Sequence, residues 1–215
     1  TGNYGPLIVT LSTWEEYYES KADIWEIASL LRFRPVAGPS GIAEKLREKA
    51  RLFCFQHRTV EAVVSRLCEL KSRMEEELTR ETEASINLKL GRGGLVEVEF
   101  LCQAAALIEE RFPWRHPLAT PDSLPYALEF WQVPDSEKPE LHRAFRGLRR
   151  LKHRLDLLGK TGDELTHKDF ETLKQLGLWG KDQQTEKYQD WNDIRRFRRL
   201  IRSRWEKVCS KNDGG

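Results

Sequence analysis

The sequence predicts an all-α helical bundle with at most one short extended segment, near residues 85–91. Three observations carry that prediction. Apolar side chains recur every three or four residues along most of the chain, the spacing that gathers them on one face of a helix. Helix-start patterns, a Ser or Thr followed three residues later by an acid, stand at Ser12 and Thr166. Only Ile86, Leu88 and Leu90 alternate as a strand does, just ahead of Gly91-Arg92-Gly93-Gly94.

Taken in order, Ser12-Thr13-Trp14-Glu15 reads as a capping box. One helix is expected from there, with Trp14, Tyr17, Tyr18, Ile24, Trp25, Ala28 and Leu31 on a broad stripe. Pro35 and Gly38-Pro39-Ser40-Gly41 stop it. A second helix is expected over 42–56 and a third over 59–79, the latter with Val60, Val63, Val64, Leu67 and Leu70 at core spacing. After the alternating strip, helix resumes over 95–110. Four prolines make 112–125 a loop, with Asp122 or Ser123 able to cap a short helix through Trp131. Leu141, Phe145, Leu148, Leu151, Leu155 and Leu158 mark a long amphipathic helix. Thr166 and Asp169 form a second capping box, opening a short helix that ends near Gly177, and a last helix covers about 187–209. The helical faces run on without a long linker, so residues 12–210 read as one domain, with 1–11 as an exit linker from a domain before it and 211–215 as a flexible tail.

Composition narrows the class. Of the 215 residues 39% are hydrophobic and 33% charged, and seven Trp, nine Phe and five Tyr supply a sizeable core, which excludes a disordered chain. The longest apolar stretch, residues 101–108, contains Gln103 and is far too short to span a bilayer. No basic-then-apolar signal opens the chain, which begins Thr-Gly-Asn, compatible with a piece of something longer. Cys54, Cys68, Cys102 and Cys209 form no Cys-x-x-Cys pair, so neither a zinc site nor a disulfide framework is suggested, and a reduced cytoplasmic setting is expected. A net charge of +2 predicts no general affinity for nucleic acid. Charge is nonetheless unevenly spread: residues 74–83 are acidic, while 142–160 and 194–207 are rich in Arg and Lys. Those basic stretches are either solvated helix faces or contacts for an anionic partner, such as phosphate or an acidic protein surface.

No Gly-x-Ser-x-Gly, His-Glu-x-x-His or phosphate-loop pattern is present, and His57, His116, His142, His153 and His167 show no paired spacing. The sequence therefore assigns no catalytic residue and no metal ligand. The most informative stretch runs from Asn87 through Gly91-Arg92-Gly93-Gly94 to Glu97, Glu99 and Gln103. Glycines bunched before a helix allow unusual backbone angles and close approach, and free N–H groups there suit an anion. Glu97 and Glu99 would repel an anion, and a spacing of two puts them on different helix faces, so a tight structural turn and a functional loop stay equally open. At the end of the first helix, Arg32 and Arg34 flank Phe33; they read as phosphate or carboxylate clamps, or simply as a C-terminal cap.

These motifs, in this order, resemble the helical domain that follows the nucleotidyltransferase domain in glutamine synthetase adenylyltransferases, and more distantly the PII uridylyltransferases. The resemblance covers almost the whole chain. It rests on Gly5-Pro6-Leu7-Ile8-Val9, on Trp25 with Leu30-Leu31-Arg32-Phe33-Arg34-Pro35-Val36-Ala37-Gly38, on Leu88 to Gln103, and on His116-Pro117, Ala127-Leu128 and Thr166-His167. Asn87 stands where the family usually has Asp, and the family's Gly-Ser followed by Asp-x-Asp is absent. The resemblance implies a parent enzyme that binds Mg-ATP on a missing nucleotidyltransferase domain and moves AMP to or from a protein tyrosine in nitrogen-assimilation control. This segment alone would be inactive and bind no cofactor. It further implies that Arg32, Arg34, Lys89, Gly93 and Gly94 face the catalytic cleft, with Glu97 and Glu99 as supporting carboxylates. Glutamine synthetase and a PII-type regulator are the implied partners, and no membrane is involved. Two other readings remain: a regulatory or scaffolding module docking such a partner, with an exposed patch around Trp14, Tyr18 or Trp25, and a nucleic-acid binder using the basic helices.

Overall fold

The computed structural model describes residues 8–109, 118–179 and 190–210. Its elements run α1 (Leu11–Ser20), α2 (Ile24–Leu30), α3 (Ser40–Cys54), α4 (Val60–Leu78), β1 (Ser85–Asn87), α5 (Leu95–Ile108), α6 (Thr120–Phe130), α7 (Lys138–Leu157), β2 (Glu164–Thr166), α8 (His167–Gln175) and α9 (Trp191–Ser210). Among the described residues the protein is all-α but for one two-stranded antiparallel ladder, in which Ile86 faces Leu165. The extended segment expected near 85–91 thus has a partner, which the capping box at Thr166 concealed in sequence.

Helix α5 sits at the centre, against α2, α4, α6, α7 and α9. Its residues are buried nearly all round, from Leu95 to Leu107 with Glu99 half-buried, as expected of a helix with no polar face. Helices α7 and α9 lie side by side, and Gly147 lets the Phe197 ring come close: a Cβ there would stand 2.8 Å from Cε2. The leucine stripe of α7 meets Ile194, Phe197, Ile201 and Trp205 of α9 within one continuous core.

Three sequence expectations are corrected. The single helix expected from Trp14 to Leu31 is two, because Asp23 caps α2 in a box with Glu26. The apolar stripe keeps its phase across this break, so periodicity alone does not reveal it. Helix α1 starts earlier than the box at Ser12, with Thr10 accepting from the Thr13 N–H at 3.2 Å. Finally, Cys68 on α4 and Cys209 on α9 are joined in a disulfide, with Cα atoms 6.1 Å apart and 141 residues between them in sequence. No local spacing announces a pair so far separated. Cys54 and Cys102 remain free and buried, and burial pushes both thiols up to about 12. The linker at 1–7, His116-Pro117, and the tail at 211–215 lie outside the described residues.

The Thr166–Asp169 box is present in both directions. Asp169 is buried, and burial pushes its carboxyl up, but hydrogen bonds from Lys160 (2.8 Å) and Thr166 hold it below its ordinary 3.8. A lowered folded-state value stabilises the native protein fully above pH 3.8, and that contribution is lost as pH falls through the folded value. Asp169→Asn should therefore be less stable than the parent chain above pH 3.8, with the gap closing at lower pH. Denaturant unfolding followed by circular dichroism at both pH values checks this; a gap independent of pH contradicts it.

Candidate functional site

The glycine turn between β1 and α5 is built by its neighbours. Asn87 opens it: its side-chain oxygen accepts the N–H groups of Lys89 (3.0 Å) and Leu90 (2.7 Å), an Asx turn. A carboxylate oxygen accepts the same two bonds, so this local task is met by Asn as by the family's Asp. Gly93 has φ of +68°, and a Cβ on it would stand 1.9 Å from the Arg198 carbonyl oxygen of α9. A Cβ on Gly94 would stand 2.5 Å from the Lys89 carbonyl oxygen. Both glycines are thus required by close approach of backbone within the chain itself, the turn folding on itself and pressing on α9.

Beneath the turn lies a buried charge network. Lys71 of α4, 1% exposed, donates to the carbonyls of Leu90 (3.0 Å) and Gly91 (3.3 Å), and pairs with Glu75 and with Glu97 (3.2 Å). Glu97, wholly buried, also takes Arg202 of α9 at 2.9 Å and the Gly93 N–H at 3.0 Å on the same oxygen, Oε1, leaving Oε2 without a partner among the described residues. Arg202 further meets Glu75 at 2.6 Å and Glu206 at 2.7 Å. Burial opposes the charge on Arg202, but its hydrogen bonds to Glu206 and Glu97 and the charges of Glu97 and Glu75 raise its pKa. Two cations and two carboxylates, Lys71, Arg202, Glu75 and Glu97, therefore balance in the interior while clamping the turn's carbonyls and one of its amides. Such a network adds little net stability, but losing one member strands another in the core.

Glu97 and Glu99 point to different helices. While Glu97 faces α4 and α9, Glu99 meets Arg32 at the exit of α2, 2.9 Å away. Arg32 is 41% exposed, so this pair contributes about 0–1 kcal/mol; it orients the guanidinium more than it stabilises the fold. Arg34 and Lys89 are exposed, and neither side chain forms a hydrogen bond or ion pair with a described residue. The structure thus brings Arg32 to Glu99 and Gly93 to Glu97, while Arg34 joins neither pair. Among the described residues no group of three or more His, Cys, Asp or Glu is placed to hold a metal ion, and both candidate carboxylates are already engaged by cations. These residues do not fit a magnesium site.

Sequence reasoning missed Lys71 altogether and read Arg202 only as part of a basic stretch. A signal for Lys71 existed: Val60, Val64 and Leu67 step along one face of α4 and reach Lys71 next, at a core position. Trp14 and Tyr18 do not form an exposed patch. They pack with Phe33 and Phe53, Trp14 lying 4.9 Å from Tyr18 and 5.6 Å from Phe53 between ring centres. Only Trp25 of the three is exposed.

An all-α bundle around one buried helix, with a glycine turn locked by internal charges and two arginine-bearing segments at its surface, defines a helical domain without a metal centre among its described residues. The chain belongs to the GlnD PII-uridylyltransferase family, which matches residues 65–212. It is similar to the bifunctional glutamine synthetase adenylyltransferase/adenylyl-removing enzyme of Streptomyces coelicolor, 33% identical over 177 residues, covering 82% of this chain and 18% of that protein. The enzyme of the same name from Corynebacterium diphtheriae is 32% identical over 73% of this chain and 15% of its own. That of Thioalkalivibrio sulfidiphilus is 28% identical over 99% of this chain and 22% of its own. The chain thus spans about a fifth of the length of the curated relatives it matches.

Proposed function

We propose that this chain is the helical domain that works beside a nucleotidyltransferase domain in an enzyme adding AMP to, or removing it from, a tyrosine of glutamine synthetase. The observation that carries this reading is the match along the chain to relatives bearing that name. Mg-ATP belongs to the neighbouring domain in this reading, where the metal neutralises phosphate charge. This chain's own contribution is positional. Glu99 holds Arg32 at the α2 exit, and Arg34 and Lys89 add exposed positive charge to meet phosphate oxygens. The setting we assign is the cytoplasm, where the Cys68–Cys209 bridge is open to reduction. No described helix is long and apolar enough to cross a membrane. A PII-type protein is the proposed regulator. The nucleic-acid reading needs a long run of free basic residues, and on α9 Arg196, Arg198, Arg202 and Arg204 are paired with carboxylates, leaving only Arg195 and Arg199 of the described arginines there without one.

Changing Arg32 and Arg34 together to Ala in the parent enzyme should lower AMP transfer from labelled ATP to glutamine synthetase by about 100-fold or more. The stability of the chain should change by only about 1 kcal/mol, since the lost ion pair is half exposed. Equal losses of activity and of folding would sink the idea.

A further inference from the structure

The geometry points to a binding site for a small oligophosphate in the arginine-lined groove along α9. The groove is open to solvent and offers about 510 Å³ between α9, the glycine turn and the segment after α4. Arg195, Arg199, Arg202 and Ser203 stand one or two turns apart on α9 and line it, with Arg198 as a wall and Arg92 of the turn opposite. Two carboxylates also line it, and both are already taken. Glu81 accepts from Arg198 at 2.6 and 2.8 Å and from the Asn87 N–H at 2.6 Å. Glu206 accepts from Arg202 at 2.7 Å and from Arg92 at 3.1 Å. Among the described residues Arg195 donates to the Glu83 carbonyl, at 2.7 Å, and the guanidinium of Arg199 forms no hydrogen bond or ion pair. Arg198, Arg202 and Arg92 are thus paired with carboxylates, Arg202 also with Glu75 and Glu97 behind the wall, while among the described residues Arg195 and Arg199 have no carboxylate partner and leave the groove with unbalanced positive charge.

This arrangement selects a class of ligand. Guanidinium forks match phosphate oxygens two at a time, and a row of them matches several phosphates in sequence. The volume exceeds what one phosphate fills. No aromatic side chain of the described residues lines the groove, so none of them stacks a nucleobase, and the ligand is recognised by its phosphates. The buried network behind the wall keeps Arg202 in place, and Gly93 against the Arg198 carbonyl fixes the turn on α9, so the site is preorganised. The inference uses none of Arg32, Arg34 or Lys89 and stands independently of the proposed function.

Isothermal titration of the 215-residue chain with sodium tripolyphosphate tests it. The chain should bind, with affinity falling as salt rises. Arg199→Gln should lower affinity about tenfold, the loss of one charge-assisted contact, and Arg195→Gln should act similarly. Arg149→Gln, an exposed arginine on α7 outside the groove, removes the same charge and should leave affinity unchanged. ATP should bind no more than a few-fold differently from tripolyphosphate. Absence of binding, equal losses in Arg149→Gln and Arg199→Gln, or a poly-glutamate peptide binding more tightly than tripolyphosphate would each overturn the site.

Discussion

Lys71→Met is expected to destabilise the protein by about 3 kcal/mol, far more than a lysine substitution ordinarily costs. The reason is what it leaves behind. Methionine fills the space, but the carbonyls of Leu90 and Gly91 lose their shared donor and Glu97 loses one of its two cations at a fully buried position. A buried carboxylate short of counter-charge costs several kcal/mol, whereas the intact network is worth little over an apolar core. Adding Glu97→Gln to Lys71→Met should therefore cost much less than the two single changes summed. The neutral amide no longer needs the lysine, and its oxygen still accepts from Gly93. Coupling between the two positions should fall in the range of about 0.5–3 kcal/mol. Exposed Lys45→Met provides the reference and should stay within about 0.5 kcal/mol of the parent chain. Guanidinium-induced unfolding of the four variants checks this, and a Lys71→Met chain as stable as Lys45→Met would falsify the account of the network.

Gly93→Ala is the second large effect, at about 3 kcal/mol. Part of the cost is backbone strain, since φ of +68° lies in the left-handed region, which costs an alanine about 1 kcal/mol. The rest is steric. The added methyl would stand 1.9 Å from the Arg198 carbonyl oxygen, a backbone atom of α9 that cannot rotate away, so turn and helix must separate. Gly159 isolates the first part: its φ is +72° and nothing lies within 4 Å of where a Cβ would go. Gly159→Ala should cost about 1 kcal/mol, from strain alone. Thermal unfolding of the two variants separates the contributions. Equal losses would mean that contact with α9 is unimportant.

These two predictions concern residues of unequal legibility in the sequence. Gly93 and Gly94 are conspicuous because glycines bunched before a helix signal special backbone geometry, yet the sequence could not say whether a ligand, another domain or the chain itself makes the close approach. The structure places α9 there, more than a hundred residues further along the chain. Lys71 is nearly invisible because lysine is ordinarily exposed, and its only signal is its phase on the α4 stripe. Arg32 and Glu99 stand out in separate motifs, but their pairing requires α2 to pack on α5, which no periodicity encodes. The same holds for Cys68 and Cys209.

The helices themselves were legible wherever a one-sided apolar stripe was present. α4 and α8, each opened by a threonine cap (Thr59, Thr166), and α7, which begins at Lys138-Pro139 without a side-chain cap, fall close to their expected bounds. The break at Asp23 was not legible. The stripe continues through it, and the Asp23–Glu26 box lies inside a run of otherwise good helix formers. The basic stretch at 194–207 carried two readings, a solvated face or contacts for an anionic partner, and neither describes its buried arginines. Arg198, Arg202 and Arg204 are drawn inward to carboxylates, while Arg195 and Arg199 face the groove without one.

The central claim, that this bundle works beside a nucleotidyltransferase domain, is tested most directly by sequencing the encoding gene in frame upstream of the Thr1 codon. The expected result is an open frame that continues into a Gly-Ser followed by Asp-x-Asp on a strand pattern. A start codon immediately before Thr1 would contradict it and leave a free-standing helical module whose partner is held by other surfaces.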